Sequence, residues 1–301
     1  MTAPSRALTP QAFITLLVLA CMMGGNHVAA RFAFDDGVDV VTAVTARSLV
    51  TALAVGALVA VYRVQTAMTL RQKGFMGLLG LLVAVQSVWL YSSVARLPVG
   101  LALLAFNTYP LWTVLWAWAL YRHKPERAVL LAMPVILAGL ALALDVAGAA
   151  SGLGAQGQWA RIGTGVAFAS GAAATFGLIL VITQHEVAAL DGRLRSALTM
   201  ATVGVLALAA ALTGGGLHAP TSATGWWGLA ALTLLYGTGF TVMFTVLPRL
   251  GVVGSSPILN VEPVAALLLA WPLLGQAIAP VQWAGAVTVV GTVMWLGLRR
   301  R

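Results

Sequence analysis

The residues best placed to do chemistry in this sequence form one short stretch, Asn-Val-Glu-Pro at 260–263, in the middle of an apolar run from about 252 to 274. A carboxylate such as Glu262 costs about 3 kcal/mol at the centre of a membrane helix, even on lenient scales. Pro263 lacks an N–H, so the carbonyl of Leu259 loses its helical partner. Such groups are tolerated at that depth only where they face protein or a water-filled cavity. The stretch therefore predicts a central polar site that binds a solute or exchanges a proton.

An earlier stretch repeats this pattern at an offset of 153 residues, without a gap. The matching pairs share residue type as well as spacing. They are Arg96-Leu97 with Arg249-Leu250, Asn107 with Asn260, Pro110 with Pro263, and Trp118 with Trp271. Chance similarity between two apolar helices is the alternative, but an ungapped match of such uncommon residues favours an internal repeat.

Composition places the chain in the membrane. Its 301 residues are 60% hydrophobic and only 8% charged, which indicates a helical protein with many membrane spans. The single cysteine, Cys21, excludes a disulfide framework and offers no metal cluster. Phosphate-binding, metalloprotease and serine-hydrolase motifs are absent from the sequence, and the basic residues are dispersed. We therefore expect no enzyme, no cofactor, no metal and no nucleic-acid partner.

Apolar runs of about twenty residues predict an all-α fold of ten transmembrane helices. Their expected ranges are 11–34, 40–62, 73–96, 99–121, 126–146, 160–184, 194–213, 225–249, 252–274 and 279–297. The first run is too long for a signal-peptide core and is expected to be retained. The longest connection, Ala147–Trp159, carries no charge. We expect it to separate two five-helix halves, residues 1–150 and 151–301.

The distribution of Lys and Arg predicts the orientation. If both termini are cytoplasmic, inner segments hold 13 basic residues and outer segments hold three, as the positive-inside rule requires. Tryptophans near the ends of the spans, including Trp116, Trp118, Trp226, Trp227 and Trp271, are interpreted as interface anchors. Because five is odd, the second half begins on the opposite side from the first. The repeat is thus an inverted one, an architecture of secondary transporters with a site between the halves.

Polar and aromatic residues within the predicted spans are the candidate lining of that site. They are Asn26, His27, Gln86, Trp89, Tyr91, Asn107, Tyr109, Trp112, Tyr236, Phe240, Asn260 and Glu262. Interhelical hydrogen bonds by the amides, a neutral His27 satisfied by a neighbour, and ordinary aromatic packing are the alternatives. Near-neutral titration of His27 would suit proton coupling. Pro110 and Pro263 are expected to act as hinges rather than as ordinary membrane prolines.

Arg47 lies about two turns into the second span. It could neutralise Glu262 or bind a substrate carboxylate. Since long cationic side chains reach toward the interface when they can, the favoured interpretation is that Arg47 extends outward.

Several motifs resemble the ten-helix drug/metabolite transporter superfamily, with two EamA-type halves, over nearly the whole chain. They are Gly24-Gly25-Asn26, Ala46-Arg47, Arg249-Leu250-Gly251, Glu262-Pro263 and Leu274-Gly275-Gln276. The family usually has Gly-Glu where this chain has Gly275-Gln276, which puts a role for that carboxylate in doubt. These motifs are specific for the superfamily and weak for the substrate.

Within the superfamily, the chain is most similar to bacterial inner-membrane exporters of amino acids, aromatic ones included. The resemblance implies a central cavity lined by helices one, three, four, six, eight and nine, and outward movement of a small metabolite. We expect a monomer in the lipid bilayer, with protons as a candidate coupling ion. The alternatives are efflux of drugs or other metabolites by the same fold, and a membrane-embedded lipid-modifying enzyme.

Overall fold

The computed structural model describes residues 10–123, 127–245, 262–276 and 278–299, and these form helices joined by turns and short loops, with no strand among them. The helices are α1 Pro10–Asp35, α2 Val40–Val61, α3 Leu70–Val94, α4 Val99–Phe106, α5 Tyr109–Tyr121, α6 Arg127–Ala143, α7 Gly154–Glu186, α8 Gly192–Thr213, α9 Ala223–Thr245, α10 Glu262–Leu274 and α11 Pro280–Arg299. The predicted all-α class is confirmed.

The helices correspond to the ten predicted spans, with α4 and α5 as two pieces of the fourth. In the part of the chain that the structure describes, six stretches are long and apolar enough to cross a membrane. They are Leu17–Asp35, Val40–Val61, Leu70–Val94, Val99–Tyr121, Gly154–Glu186 and Gly192–Thr213. The ninth span is described only from Glu262 onward, so the predicted residues 252–261 lie outside the described ranges.

The internal repeat is visible in the helix boundaries. Helices α3 and α9 begin at residues 70 and 223. These starts are separated by the 153 residues found in the sequence. The described parts of the two halves therefore repeat one order of helices.

The two halves interleave instead of packing side by side. Helix α1 packs on α9 and α10, and its counterpart α7 packs on α3 and α5. Two glycines allow close approaches among these helices. A Cβ added at Gly24 would lie 3.0 Å from the backbone N of Ala266, and one at Gly177 would lie 2.7 Å from the backbone N of Thr113. Both the glycines and their partners are 153 residues apart, so the same close contact occurs once in each half.

Two helices begin earlier than their apolar runs predicted. Helix α3 starts at Leu70 because Thr69 and Gln72 form a capping box, which satisfies the first backbone N–H groups. Helix α7 starts at Gly154 instead of residue 160, so the glycine-rich connection is shorter than expected. The Gln158 side chain donates to the carbonyl of Leu144 at 3.0 Å. That bond holds the added turn of α7 against the end of α6.

The tryptophans separate into two groups. Trp118, Trp226, Trp227 and Trp271 are each at least half exposed, as residues facing lipid or headgroups would be. Trp116 is different, because its indole Nε1 donates to the carbonyl of Ala174 on α7 at 2.9 Å. Trp116 thus joins α5 to α7, and its position at the membrane interface stays a prediction.

Gln276, which follows the end of α10, caps the N-terminus of α4. Pro98 precedes α4 and provides no side-chain cap. The Gln276 Oε1 instead accepts the backbone N–H of Val99 at 3.0 Å. Gly275 makes this reach possible, since it ends α10 in the left-handed conformation with φ +62°. The superfamily that the chain resembles usually has a glutamate at position 276. Here the neutral Gln276 takes that position and accepts the first N–H of a helix.

We predict that Gln276→Leu lowers the stability of the protein by about 1 kcal/mol, because the first N–H of α4 loses its acceptor. Gln276→Glu keeps an acceptor and adds a negative charge at the positive end of a helix, so it should be at least as stable as the unmodified protein. Thermal unfolding of purified protein in one detergent measures both. Equal midpoints for the Leu and Glu variants would contradict the capping role.

Candidate functional site

Three side chains from three helices form a hydrogen-bonded chain at the centre of the first half. The Tyr91 hydroxyl of α3 donates to Asn26 Oδ1 of α1 at 2.8 Å and accepts from Arg47 Nη1 of α2 at 3.4 Å. Asn26 is 0% exposed and Tyr91 1% exposed. Amide and hydroxyl thus satisfy each other away from water, which a buried polar pair requires.

Arg47 lies between two aromatic rings and does not extend outward. Its guanidinium carbon is 4.5 Å from the ring centre of Tyr91 and 3.9 Å from that of Tyr236. Its Nη2 donates to Ser87 Oγ at 2.7 Å, and the residue is only 4% exposed. The favoured expectation was therefore wrong. Two ring faces and a hydroxyl compensate the cation where it lies, so it need not reach the interface.

His27 and Glu262 connect the two halves. The distance from His27 Nε2 to Glu262 Oε1 is 3.5 Å, and a quarter of the glutamate side chain is exposed. The close approach at Gly24, where an added Cβ would lie 3.0 Å from the Glu262 carbonyl oxygen, brings α1 and α10 together. The partner of Glu262 is thus His27 of α1, and not Arg47 as had been considered.

The fourth span is broken beside this cluster. Helix α4 ends at Phe106 and α5 begins at Tyr109, with Pro110 in its first turn. Asn107 lies at the break, 4% exposed, and its Nδ2 has no hydrogen-bond partner among the described residues. In the second half, Glu262 and Pro263 match Tyr109 and Pro110 in the repeat and are the first two described residues of α10. Asn260 lies outside the described residues, and a hinge motion at either proline remains a prediction.

A second aromatic group lines the break. Tyr109 contacts Phe106 and Phe176, with ring centres 5.7 and 5.0 Å apart. Trp112 lies against Gly177, whose added Cβ would be 2.9 Å from the Trp112 Cβ. Phe176 of α7 was not among the predicted site residues. Its apolar surroundings in the sequence contain no signal that would separate it from ordinary core phenylalanine.

The three predicted site residues of α3, Gln86, Trp89 and Tyr91, do not lie together. Gln86 is 8% exposed and Tyr91 faces the cluster, whereas Trp89 is 37% exposed. The Trp89 ring packs on Gly171 of α7, 2.5 Å from where a Cβ would be added. Residues two positions apart point to different sides of a helix, so Trp89 and Tyr91 do not share a surface. On α9, Tyr236 stacks on Phe240 with ring centres 5.1 Å apart.

A groove of about 470 Å³ lies elsewhere, between α1, α9 and α10. Apolar and small residues line most of it, among them Gly25, Phe32, Trp227 and Leu269. None of the predicted site residues belongs to its lining. The candidate site is therefore the packed cluster around Arg47 and Glu262, and not this groove.

Two carboxylates in the turn between α1 and α2, Asp36 and Asp39, hold a loop and a helix end. Asp36 accepts the backbone N–H groups of Thr221 and Ser222, each at 2.8 Å. Those bonds hold the pKa of Asp36 below its usual value, the bond from Ser222 having the largest effect. Asp39 caps α2 and lies 3.7 Å from His218 Nδ1. Among the described residues, no group of His, Cys, Asp or Glu could hold a metal ion.

Comparison with known proteins agrees with this architecture. A crystal structure of another protein, 18% identical, superposes with a TM-score of 0.63 and covers 97% of this chain and 99% of its own. At that identity the likeness shows the fold alone. No curated protein matches this chain.

The family model matches twice. The EamA-like transporter family matches residues 11–144 and again residues 163–298, which together are most of the chain. The second match begins 152 residues after the first, in agreement with the repeat seen in the helix boundaries. This protein is therefore a membrane protein of two repeats that belongs to the EamA-like transporter family.

Proposed function

We propose that this protein is a secondary transporter that exports small metabolites, chiefly amino acids including aromatic ones, by alternating access through a central site. The observation that carries the proposal is the cluster of Asn26, His27, Arg47, Tyr91, Tyr236 and Glu262, drawn from both halves. Transport needs a site whose walls belong to parts that can move against each other. The contact between α1 and α10, and the contact of the Arg47 guanidinium on α2 with the Tyr236 ring on α9, have that property.

Aromatic solutes fit the composition of the site. Tyr91 and Tyr236 pack on Arg47, Phe240 stacks on Tyr236, and Tyr109 contacts Phe176 beside the helix break. Ring faces at these positions support stacking on a planar side chain. Efflux of drugs or other metabolites by the same fold is the second candidate. A lipid-modifying enzyme finds no support, since the outer carboxylates are occupied in caps and loop contacts.

Purified protein in proteoliposomes tests the function. We expect at least one aromatic amino acid from a panel of the twenty standard ones to leave loaded vesicles faster than it leaves protein-free vesicles. The panel should be run with and without a pH gradient, because protons are the candidate coupling ion. Movement of hydrophobic drugs without movement of any amino acid would favour the second candidate.

The proposed location is the bacterial inner membrane, with both termini cytoplasmic and the protein acting as a monomer. The 13-to-3 distribution of basic residues supports this orientation. We expect a C-terminal fusion to alkaline phosphatase, which is active only in the periplasm, to be inactive, and a fusion to a green fluorescent protein to be fluorescent. Strong phosphatase activity in a stably inserted fusion would overturn the orientation.

Glu262→Gln distinguishes proton coupling from a structural role. The amide keeps the shape of the side chain and a polar oxygen or nitrogen facing His27 but cannot titrate. If Glu262 carries a proton through the cycle, the variant should exchange substrate across the membrane yet fail to concentrate it with a pH gradient. If Glu262 instead stays in one charge state and holds α10 against α1, the response of transport to a pH gradient should be unchanged in folded protein, or the variant should unfold at a lower temperature.

The structural role is the expected one, because the 3.5 Å contact and the close approach at Gly24 already join the two helices. Ser222→Ala, which changes an outer-loop side chain remote from the cluster, is the matched control. It should leave both exchange and accumulation intact. Loss of accumulation in Glu262→Gln with intact exchange would overturn the structural reading.

A further inference from the structure

We infer that the central cluster binds its solute by two opposite charges, with Arg47 holding a carboxylate and Glu262, beside His27, holding an ammonium group. The substrate class is then the zwitterionic α-amino acid. The inference rests on the proposed function and assigns its specificity to named residues.

The Arg47 guanidinium keeps a buried donor without a partner. Its Nε is fully buried and makes no hydrogen bond with the residues that the structure describes, while Nη2 donates to the neutral hydroxyl of Ser87 at 2.7 Å. Nε and the adjacent terminal nitrogen are the parallel donors with which arginine binds a carboxylate in two-point fashion. A carboxylate bound there satisfies the Nε and exchanges one neutral hydrogen bond for a charge-assisted one.

The charge of Arg47 is also not neutralised by a protein carboxylate. Among the described residues, no Asp or Glu oxygen lies within 4.0 Å of the guanidinium, although ion pairs of that length occur elsewhere in the protein. Ring faces and hydroxyls stabilise a buried cation less than an anion does. An anionic group of the solute is the partner that the arrangement favours.

The internal repeat shows that the fold does not require these polar groups. At an offset of 153 residues, the counterparts of Asn26, His27, Arg47 and Ser87 are apolar. They are Ile179, Leu180, Met200 and Phe240. Ile179 and Met200 are buried like the residues they match, so the same helix contacts are made without polar side chains. The first half has polar side chains that helix packing does not require. Solute recognition accounts for these side chains.

Glu262 provides the negative charge that binds the ammonium group. Its side chain is a quarter exposed, whereas His27 at 3.5 Å is buried and its Nδ1 has no partner within the described ranges. The carboxylate can therefore meet an ammonium group while staying in contact with α1. Asn26 and Tyr91 connect the two charged residues. Asn26 is next to His27 in the chain, and the Tyr91 hydroxyl bonds both Asn26 and Arg47. The tyrosine rings on both sides of Arg47 are placed to accept the solute's side chain.

Three probes that share one side chain test the inference: phenylalanine, phenethylamine, which lacks the carboxylate, and 3-phenylpropionate, which lacks the ammonium group. Binding is measured with purified protein by ligand-induced thermal stabilisation and by competition against phenylalanine efflux from proteoliposomes. We expect each deletion from the ligand to weaken binding by about tenfold or more, the factor that one charge-assisted hydrogen bond supplies.

Variants assign each loss to one residue. In Arg47→Gln, phenylalanine should bind no better than phenethylamine, because the carboxylate has lost its partner. In Glu262→Gln, phenylalanine should bind no better than 3-phenylpropionate. Arg96→Gln is the matched control, since Arg96 is exposed and its guanidinium lies 4.9 Å from the Phe168 ring. It should keep the full preference for the zwitterion.

Equal binding of phenylalanine and phenethylamine by the unmodified protein, with amino acid efflux intact, would overturn the inference and leave the proposed function standing. An unchanged preference in folded Arg47→Gln would overturn it as well. If Arg47→Gln does not fold, the three probes on unmodified protein still decide. Absence of amino acid efflux together with absence of binding would overturn both the proposed function and the inference.

Discussion

Arg47 cannot reach water from the place where α2 holds it, and the contacts around the site follow from that constraint. The cation takes the rings of Tyr91 and Tyr236 on its two faces, so α3 and α9 must both approach α2. The same contact orients the Tyr91 hydroxyl toward Asn26, which sets the rotation of α1. His27, the next residue, is thereby turned toward Glu262 of α10. One buried charge thus positions helices from both halves.

Much of the fold could be predicted because it depends on short-range pattern. Apolar runs determine where the helices lie, and the match of Asn107 and Pro110 with Asn260 and Pro263 showed the repeat that the helix boundaries confirm. Boundaries failed where a cap or a side chain from another helix decides them. Thr69 caps α3, so this helix begins earlier than its apolar run. Gln158 bonds the carbonyl of Leu144 at the start of α7, where the glycines had predicted a loop.

Less of the site could be predicted, because the position of a residue along a membrane helix does not show which residues of other helices lie beside it. The sequence shows that Arg47 is two turns from the end of its span, but not that two tyrosines from other helices surround it. Ser87 had no signal at all, since serine is common in membrane helices. Trp89 is a different case: helical periodicity alone places it on another side of α3 from Tyr91, and it packs on α7.

The interleaving of the halves has a consequence for biosynthesis. Helices α1, α2, α3 and α6 pack chiefly on α9, α8, α7 and α11, all of which are made later. The first five spans therefore leave the ribosome without the surfaces against which they bury their polar groups. Until the second half arrives, Arg47 has only Tyr91 and Ser87 as partners, and it lacks Tyr236. The nascent first half must be held in the membrane, by lipid or by the insertion machinery, until translation is nearly complete.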